Sequence, residues 1–459
     1  MRMILTALLA AAGLAPTAAN ADTLADALSA AYKTNPTLDG ARQQARQADE
    51  SFAQARAAFL PQVGVTGSYG SQLRITEAET IIGTQRSKNT FEPQNATITA
   101  SQSLFEGGRR LAQIGQANAQ IEGAQEGLRS TEQQVLLQVI SVYVDVRRDE
   151  DVVRIRENNV TLLERQLQAA RDRFEVGEIT RTDVAQAQAR LSGAQAGLAA
   201  ARSDLAASRA EYMRIVGAPA GALDPAPPVA GVPGNLDDAV SVALDLNPDL
   251  RRFKQAERAA RQQVRIERAD LLPQVSVFGR MARDIEPSGP GIETDSQVAA
   301  AQVTIPLFEG GGARSRTRSA RLGVLRAASQ TEEVRRSVVS QTTSAWNDYA
   351  AAQRVIEASK EQVRANELAL EGVEQEQQVG LRTTLDVLDA QQELLDSQLA
   401  VIRAERDAYV AAHGLLLSIG KLDAQSLNVN APLYDPDDHR RAVRWTTLRT
   451  WPADDGKND

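Results

Sequence analysis

Apolar residues recur along much of this chain at intervals of seven. Val139, Val146, Val153, Val160, Leu167 and Phe174 form one series, and Ile114, Ile121, Leu128, Val135 and Val142 form a second on the same stretch. Sustained heptads predict a long helix over residues 109–174 that packs against other helices along its whole length. At ~1.5 Å per residue such a helix runs for roughly 100 Å, which no single globular domain contains. A second long helix is predicted over 313–378, and shorter ones over 24–33, 37–59, 183–216, 236–246, 249–271 and 384–419. Elsewhere the period changes to two. Val63, Val65, Gly67 and Tyr69 alternate with small or polar residues, as do Ala96, Ile98 and Ala100 with Thr97, Thr99 and Ser101. Further strands are expected near 275–281 and 298–305. Their lengths approach the ~9–11 residues of a membrane-barrel strand, although alternation alone also fits a soluble hairpin. The connection around 75–90 is long and polar and reads as a loop.

The pattern occurs twice. Val176, Gly177, Thr180, Asp183 and Val184 match Val379, Gly380, Thr383, Asp386 and Val387 at an offset of 203 residues, which holds back to L-F-E-G-G at 104–108 and 307–311 and forward to Gly217 and Gly420. Upstream the offset is 212: Asn35-Pro36 matches Asn247-Pro248, and L-P-Q-V at 60–63 matches 272–275. The first copy carries nine extra residues between its strands, in the loop where an insertion is tolerated. This is a tandem duplication. It divides the chain into a signal peptide (1–21), repeat one (22–217), a proline-rich linker (218–235), repeat two (236–420) and a polar C-terminal tail (421–459), of which 432–459, with Trp445 and Trp451, is expected to be only partly ordered.

Each repeat contains one helical hairpin. Its tip is marked by the glycine that interrupts the helix and by a threonine with an aspartate three residues on, a capping-box start. Asp386 and Asp389 lie three apart and therefore share a helix face. Asp183 repeats the capping position, whereas the counterpart of Asp389 is Gln186.

Composition narrows the classes. The chain has no cysteine, which excludes disulfides, thiolate metal sites and a lipidated N-terminal cysteine, and its histidines, His413 and His439, have no ligand spacing around them. No nucleotide-binding or hydrolase motif is present, so no cofactor and no catalytic residue are expected. A net charge of −8 speaks against nucleic acid. Arg2, the apolar run 4–15 and Ala19-Asn20-Ala21 form an export signal, and no later stretch has the ~20 apolar residues of a membrane helix. Four strands per chain cannot close a barrel in lipid, so several chains are needed: eight strands from two copies would largely fill, and twelve from three leave a channel.

The paired L-P-Q-V and L-F-E-G-G segments, and above all V-G-L-R-T-T-L-D-V-L-D-A-Q at 379–391, resemble the TolC family of outer-membrane efflux and type I secretion ducts over about residues 22–430. The resemblance implies a mixed α and β membrane protein: a homotrimer with long helices forming a periplasmic α-barrel and four strands per chain forming a twelve-stranded β-barrel in outer-membrane lipid. It implies passive export of drugs or secreted protein, with a periplasmic adaptor and an inner-membrane pump docking at the tips through Val176, Gly177 and Thr180, and through Val379, Gly380, Leu381 and Thr383. Glu178 departs from the family leucine that Leu381 keeps. The resemblance also sets Arg382 as a latch against Thr182 and Asp183 of the neighbouring hairpin, with Gln377 where the family commonly has a tyrosine. Asp386 and Asp389 would then ring the narrowest point and select cations. The alternatives are a secreted or periplasmic coiled-coil scaffold, and the adaptor itself.

Overall fold

The structure is a computed structural model that describes residues 23–443. The expected signal peptide and the Trp445–Trp451 part of the tail lie outside the described residues. In chain order the elements are α1 (Leu24–Thr34), α2 (Pro36–Ala57), β1 (Gln62–Tyr69), β2 (Gln72–Thr80), β3 (Gly83–Phe91), β4 (Gln94–Glu106), α3 (Arg109–Glu175), α4 (Arg181–Val216), α5 (Leu236–Leu246), α6 (Pro248–Ala269), β5 (Gln274–Ile285), β6 (Glu293–Thr304), α7 (Gly312–Gln378), α8 (Thr384–Ser418) and α9 (Asp437–Val443). Two compact units draw on both repeats. One comprises the chain up to Gly40, Arg129–Asn247 and Val338–Leu433, and the other Ala41–Leu128, Pro248–Ser337 and the chain from Tyr434.

The first unit is helical. Its core gathers Leu28, Ile140, Tyr143, Tyr212, Leu415 and Ile419. The repeated Asn-Pro pairs now have a cause. Asn35 Nδ2 donates to the Ile215 carbonyl and Asn247 Nδ2 to that of Ser418, so each asparagine satisfies an orphan carbonyl in the last turn of a return helix. The glycines that follow are forced: Gly420 has φ +76°, and a Cβ there would lie 2.6 Å from the Leu246 carbonyl oxygen. The proline-rich linker is tied to α3, where the Tyr143 hydroxyl donates to the Asp224 carbonyl and Arg147 to that of Leu223.

The second unit holds the strands. β1, β4, β5 and β6 form one antiparallel sheet in the order β1-β4-β5-β6, so β1 and β6 are its edges. The register places Val63, Val65 and Gly67 opposite Ala100, Ile98 and Ala96, and these opposite Gly279, Met281 and Arg283. Ala299 and Ala301 of β6 continue that face. It is apolar over its middle, and Val63, Val65 and Met281 lie exposed on it. The other face is predominantly polar: Thr66, Thr97, Thr99, Ser101, Ser276, Arg280, Ser296 and Gln302 lie on it, together with Phe278, Ala282, Val298 and Ala300. One apolar and one polar face is the pattern of a strand set between lipid and water. No described helix is long and apolar enough to cross a membrane.

The expected loop at 75–90 is instead a second hairpin. β2 and β3 pair from Gln72↔Phe91 to Thr80↔Gly83, leaving Ile81-Ile82 as the turn. The sequence hid it because its cross-strand pairs are mixed and largely polar, as with Thr76 opposite Ser87 and Glu77 opposite Arg86, the latter at 3.3 Å, and because its turn lacks the usual Asn-Gly signal. Within the described part of the tail, α9 packs into the second unit through His439 and Val443.

Candidate functional site

The two tips, both in the first unit, have the same backbone. α3 ends with Gly177 at φ +80°, its N–H bonded to the Phe174 carbonyl at 3.0 Å and that of Glu178 to Arg173 at 2.9 Å. α7 ends with Gly380 at φ +81°, with Gly380 bonded to Gln377 at 3.0 Å and Leu381 to Glu376 at 2.9 Å. Each is a Schellman turn, which needs the left-handed residue that glycine supplies without strain. The return helices start with reciprocal caps. The Thr180 and Thr383 N–H groups each donate to Asp183 and Asp386 at 2.8 Å, and the threonine oxygens accept from the aspartate N–H groups. The threonine N–H holds each carboxyl below the usual carboxylate range, with the hydroxyl assisting. Above these caps Val176, Val379 and Leu381 stand 71–75% exposed, three unpartnered apolar side chains at the end of the hairpins.

The latch residues are not brought together within one chain. Arg382 donates through Nε to Glu376 of its own tip at 2.8 Å, Asp183 is engaged in its cap, and Gln377 donates to the Thr384 hydroxyl at 3.3 Å. Thr182 lies exposed on α4.

Asp389 has a partner that sequence reasoning missed. Arg190 of α4 donates to its Oδ1 at 2.5 Å, joining hairpin two to hairpin one. Beside this pair Gln166 Nε2 donates to Gln391 Oε1 at 2.7 Å. Leu388 inserts among Leu163, Leu167, Ala170, Ala187 and Leu191, with Val160, Ile179, Val184 and Ala194 around them. The signal available in the sequence was the break in the repeat: the counterparts of Arg190, Leu388 and Asp389 are Glu393, Ala185 and Gln186.

A two-faced antiparallel sheet with free edges, and long helical hairpins capped at apolar tips, define a subunit of an outer-membrane exit channel. The comparisons agree. The model of the outer membrane efflux protein family matches residues 27–218 and 239–421. The outer membrane efflux protein BepC of Brucella suis is 34% identical, covering 94% of this chain and 93% of its own. The outer membrane protein TolC of Vibrio cholerae is 26% identical over 92% and 97%, and the alkaline protease secretion protein AprF of Pseudomonas aeruginosa 26% over 89% and 86%. Among solved structures the Campylobacter jejuni CmeC outer membrane channel superposes with a TM-score of 0.75 at 13% identity, covering 92% of this chain and 89% of that one. The chain belongs to the outer membrane efflux protein family, and it works as an outer-membrane efflux channel. The scaffold alternative has no support among these relatives.

Proposed function

We propose that three copies join the free edges of their sheets, β6 of one to β1 of the next, into a twelve-stranded barrel, and that a periplasmic adaptor and an inner-membrane pump dock at the tips. The observation that carries this reading is the sheet itself, apolar on one face, polar on the other and open at both edges. An open edge in lipid leaves backbone groups unsatisfied at several kcal/mol each, and twelve strands are the smallest closure that leaves a lumen. The channel is passive. Its cargo is a drug, a secreted protein or both, and the exposed Val176, Val379 and Leu381, with Gly177, Thr180, Gly380 and Thr383 shaping the turns, form the docking surface.

In this assembly Asp386 and Asp389 line the periplasmic constriction and favour cations, with Asp389 held by Arg190 while the tip is closed. Arg382 exchanges Glu376 for Thr182 and Asp183 of a neighbouring hairpin when it latches. Because the chain has no cysteine, a panel of single-cysteine pairs on β1 and β6 tests the closure directly. Oxidation in outer membranes is expected to give a ladder ending at a covalent trimer. A ladder ending at the dimer, or no cross-link from any pair, overturns the arrangement.

A further inference from the structure

The segment that follows Leu433 lies across two helices of the second unit. The Tyr434 ring sits 5.6 Å from the guanidinium carbons of both Arg42 and Arg46 on α2. From α3, Gln125 donates to Asp437 at 3.3 Å, and Arg440 donates to Asn118 at 3.0 Å. His439 and Val443, one turn apart, are the side chains of α9 that become buried. His439 reaches Glu50 of α2 at 3.4 Å through Nε2, while its Nδ1 has no hydrogen-bond partner. Beneath it Asp49 is 1% exposed, and its Oδ1 has no partner either.

A strap built this way is held by polar contacts over a buried, under-satisfied carboxyl. Such a group is costly when ionised and much less so when protonated. We propose that residues 434–443 form an acid-tightened strap, fastening α2 to α3 when Asp49 carries a proton and loosening when that carboxyl ionises.

The charges that reach Asp49 come from both elements packed on it. His439 and Arg440 of α9 favour the carboxylate, whereas Asp437 of α9 and Glu50 of α2 oppose it; α3 adds the uncharged Asn118 and Gln125 to the strap. Burial outweighs the cations and pushes the Asp49 carboxyl up to about 6 from 3.8. A raised acid stabilises the docked state fully below its free value, and that contribution is lost as pH rises through about 6. The strap is therefore tightest in acid. α3 continues without a break from Asn118 to the first tip, so the strap grips the root of a helix that ends at the docking surface.

A spin label at Ala442→Cys in the otherwise cysteine-free full-length protein, held in lipid nanodiscs, reads the strap by its mobility. Between pH 5 and pH 8 the mobile-to-immobile ratio should rise by about tenfold, the part of the linkage from 3.8 to about 6 that lies above pH 5. Asp49→Asn, neutral at every pH and close in shape, should hold the label immobile throughout. His439→Gln should keep the pH response, because Asp49 still titrates. The proposal fails on any of four results: equal mobility of the wild type at both pH values, a pH response that survives Asp49→Asn, a label that Asp49→Asn leaves mobile at both, or loss of the response in His439→Gln.

Discussion

Leu388 should control the opening of the periplasmic tip far more strongly than the ion pair beside it. Leu388 is 3% exposed and sits in the core of the other hairpin, so opening must pull its side chain out of a packed site. Truncation to alanine removes the buried methyl groups and leaves a cavity, a loss of roughly 2–5 kcal/mol in the closed arrangement. At ~1.4 kcal/mol per factor of ten, a mid-range loss shifts the closed-to-open ratio by a few hundredfold. Arg190 and Asp389 retain 40% and 56% of their side-chain exposure. Water and salt screen such a pair to about 0–1 kcal/mol, at most roughly fivefold. Single-channel recording in planar bilayers separates the two, with circular dichroism confirming that each variant keeps its helices. Leu388→Ala should convert a mostly closed channel into one that dwells open, while Arg190→Gln should change the open fraction only slightly. An Arg190→Gln channel as open as Leu388→Ala would refute the reasoning and make the ion pair the fastening.

Arg190→Gln should nonetheless change selectivity: it frees Asp389, so the reversal potential in a salt gradient should move toward greater cation preference, and replacing Asp386 and Asp389 together by alanine should move it the other way and relieve block by a trivalent cation. Leu381→Asp should abolish export while outer-membrane trimers persist, read by cargo secretion and by a native gel. Gly380→Ala has open space for its Cβ but requires φ +81°, so its cost is one of backbone alone, about 1 kcal/mol, seen as a small drop in melting temperature. Acid should fray both tips: the depressed Asp183 and Asp386 carboxyls stabilise the caps above the free value of 3.8, and that contribution disappears as pH falls through their lower folded values, seen as faster amide exchange at Thr180 and Thr383.

What the sequence revealed and what it hid divide along a physical line. Heptads and period-two alternation are local records of burial; they delimited α3 and α7 to within a residue and located the four strands of the sheet, whose ends extend up to five residues past the alternating stretches. The caps were equally legible, because Thr180-Asp183 and Thr383-Asp386 satisfy one another across three positions. The β2–β3 hairpin was not, since its ladder is held by backbone hydrogen bonds while its side chains stay mixed and solvated. α9 has only seven residues, and its burial depends on Asp49 and Glu50, far off in the chain. Asp389 is the sharpest case. Its spacing from Asp386 could be read as a shared face, but a partner 199 residues away leaves no local pattern.

That partner exposes an asymmetry in the duplicated hairpins which bears on how the tips part. Gln188 and Gln391 occupy equivalent positions, yet Gln188 accepts from Arg171 inside hairpin one, whereas Gln391 accepts from Gln166 across to it. Leu388 enters hairpin one; its counterpart Ala185 is too short to reciprocate. Arg190 meets Asp389, and the equivalent pairing, Glu393 with Gln186, would have no cation. The two tips thus share a backbone and differ in attachment: every contact that joins the two hairpins in this set is made by α8 on the flank of α3 and α4. Hairpin one is a closed unit with its own core, and hairpin two leans on it. A pull at Val379–Leu381 therefore loads the Leu388 insertion directly. A pull at Val176 loads a hairpin that already holds its own side chains, but the same Leu388 insertion must be withdrawn from either side, so the work of separating the pair is the same whichever tip is pulled.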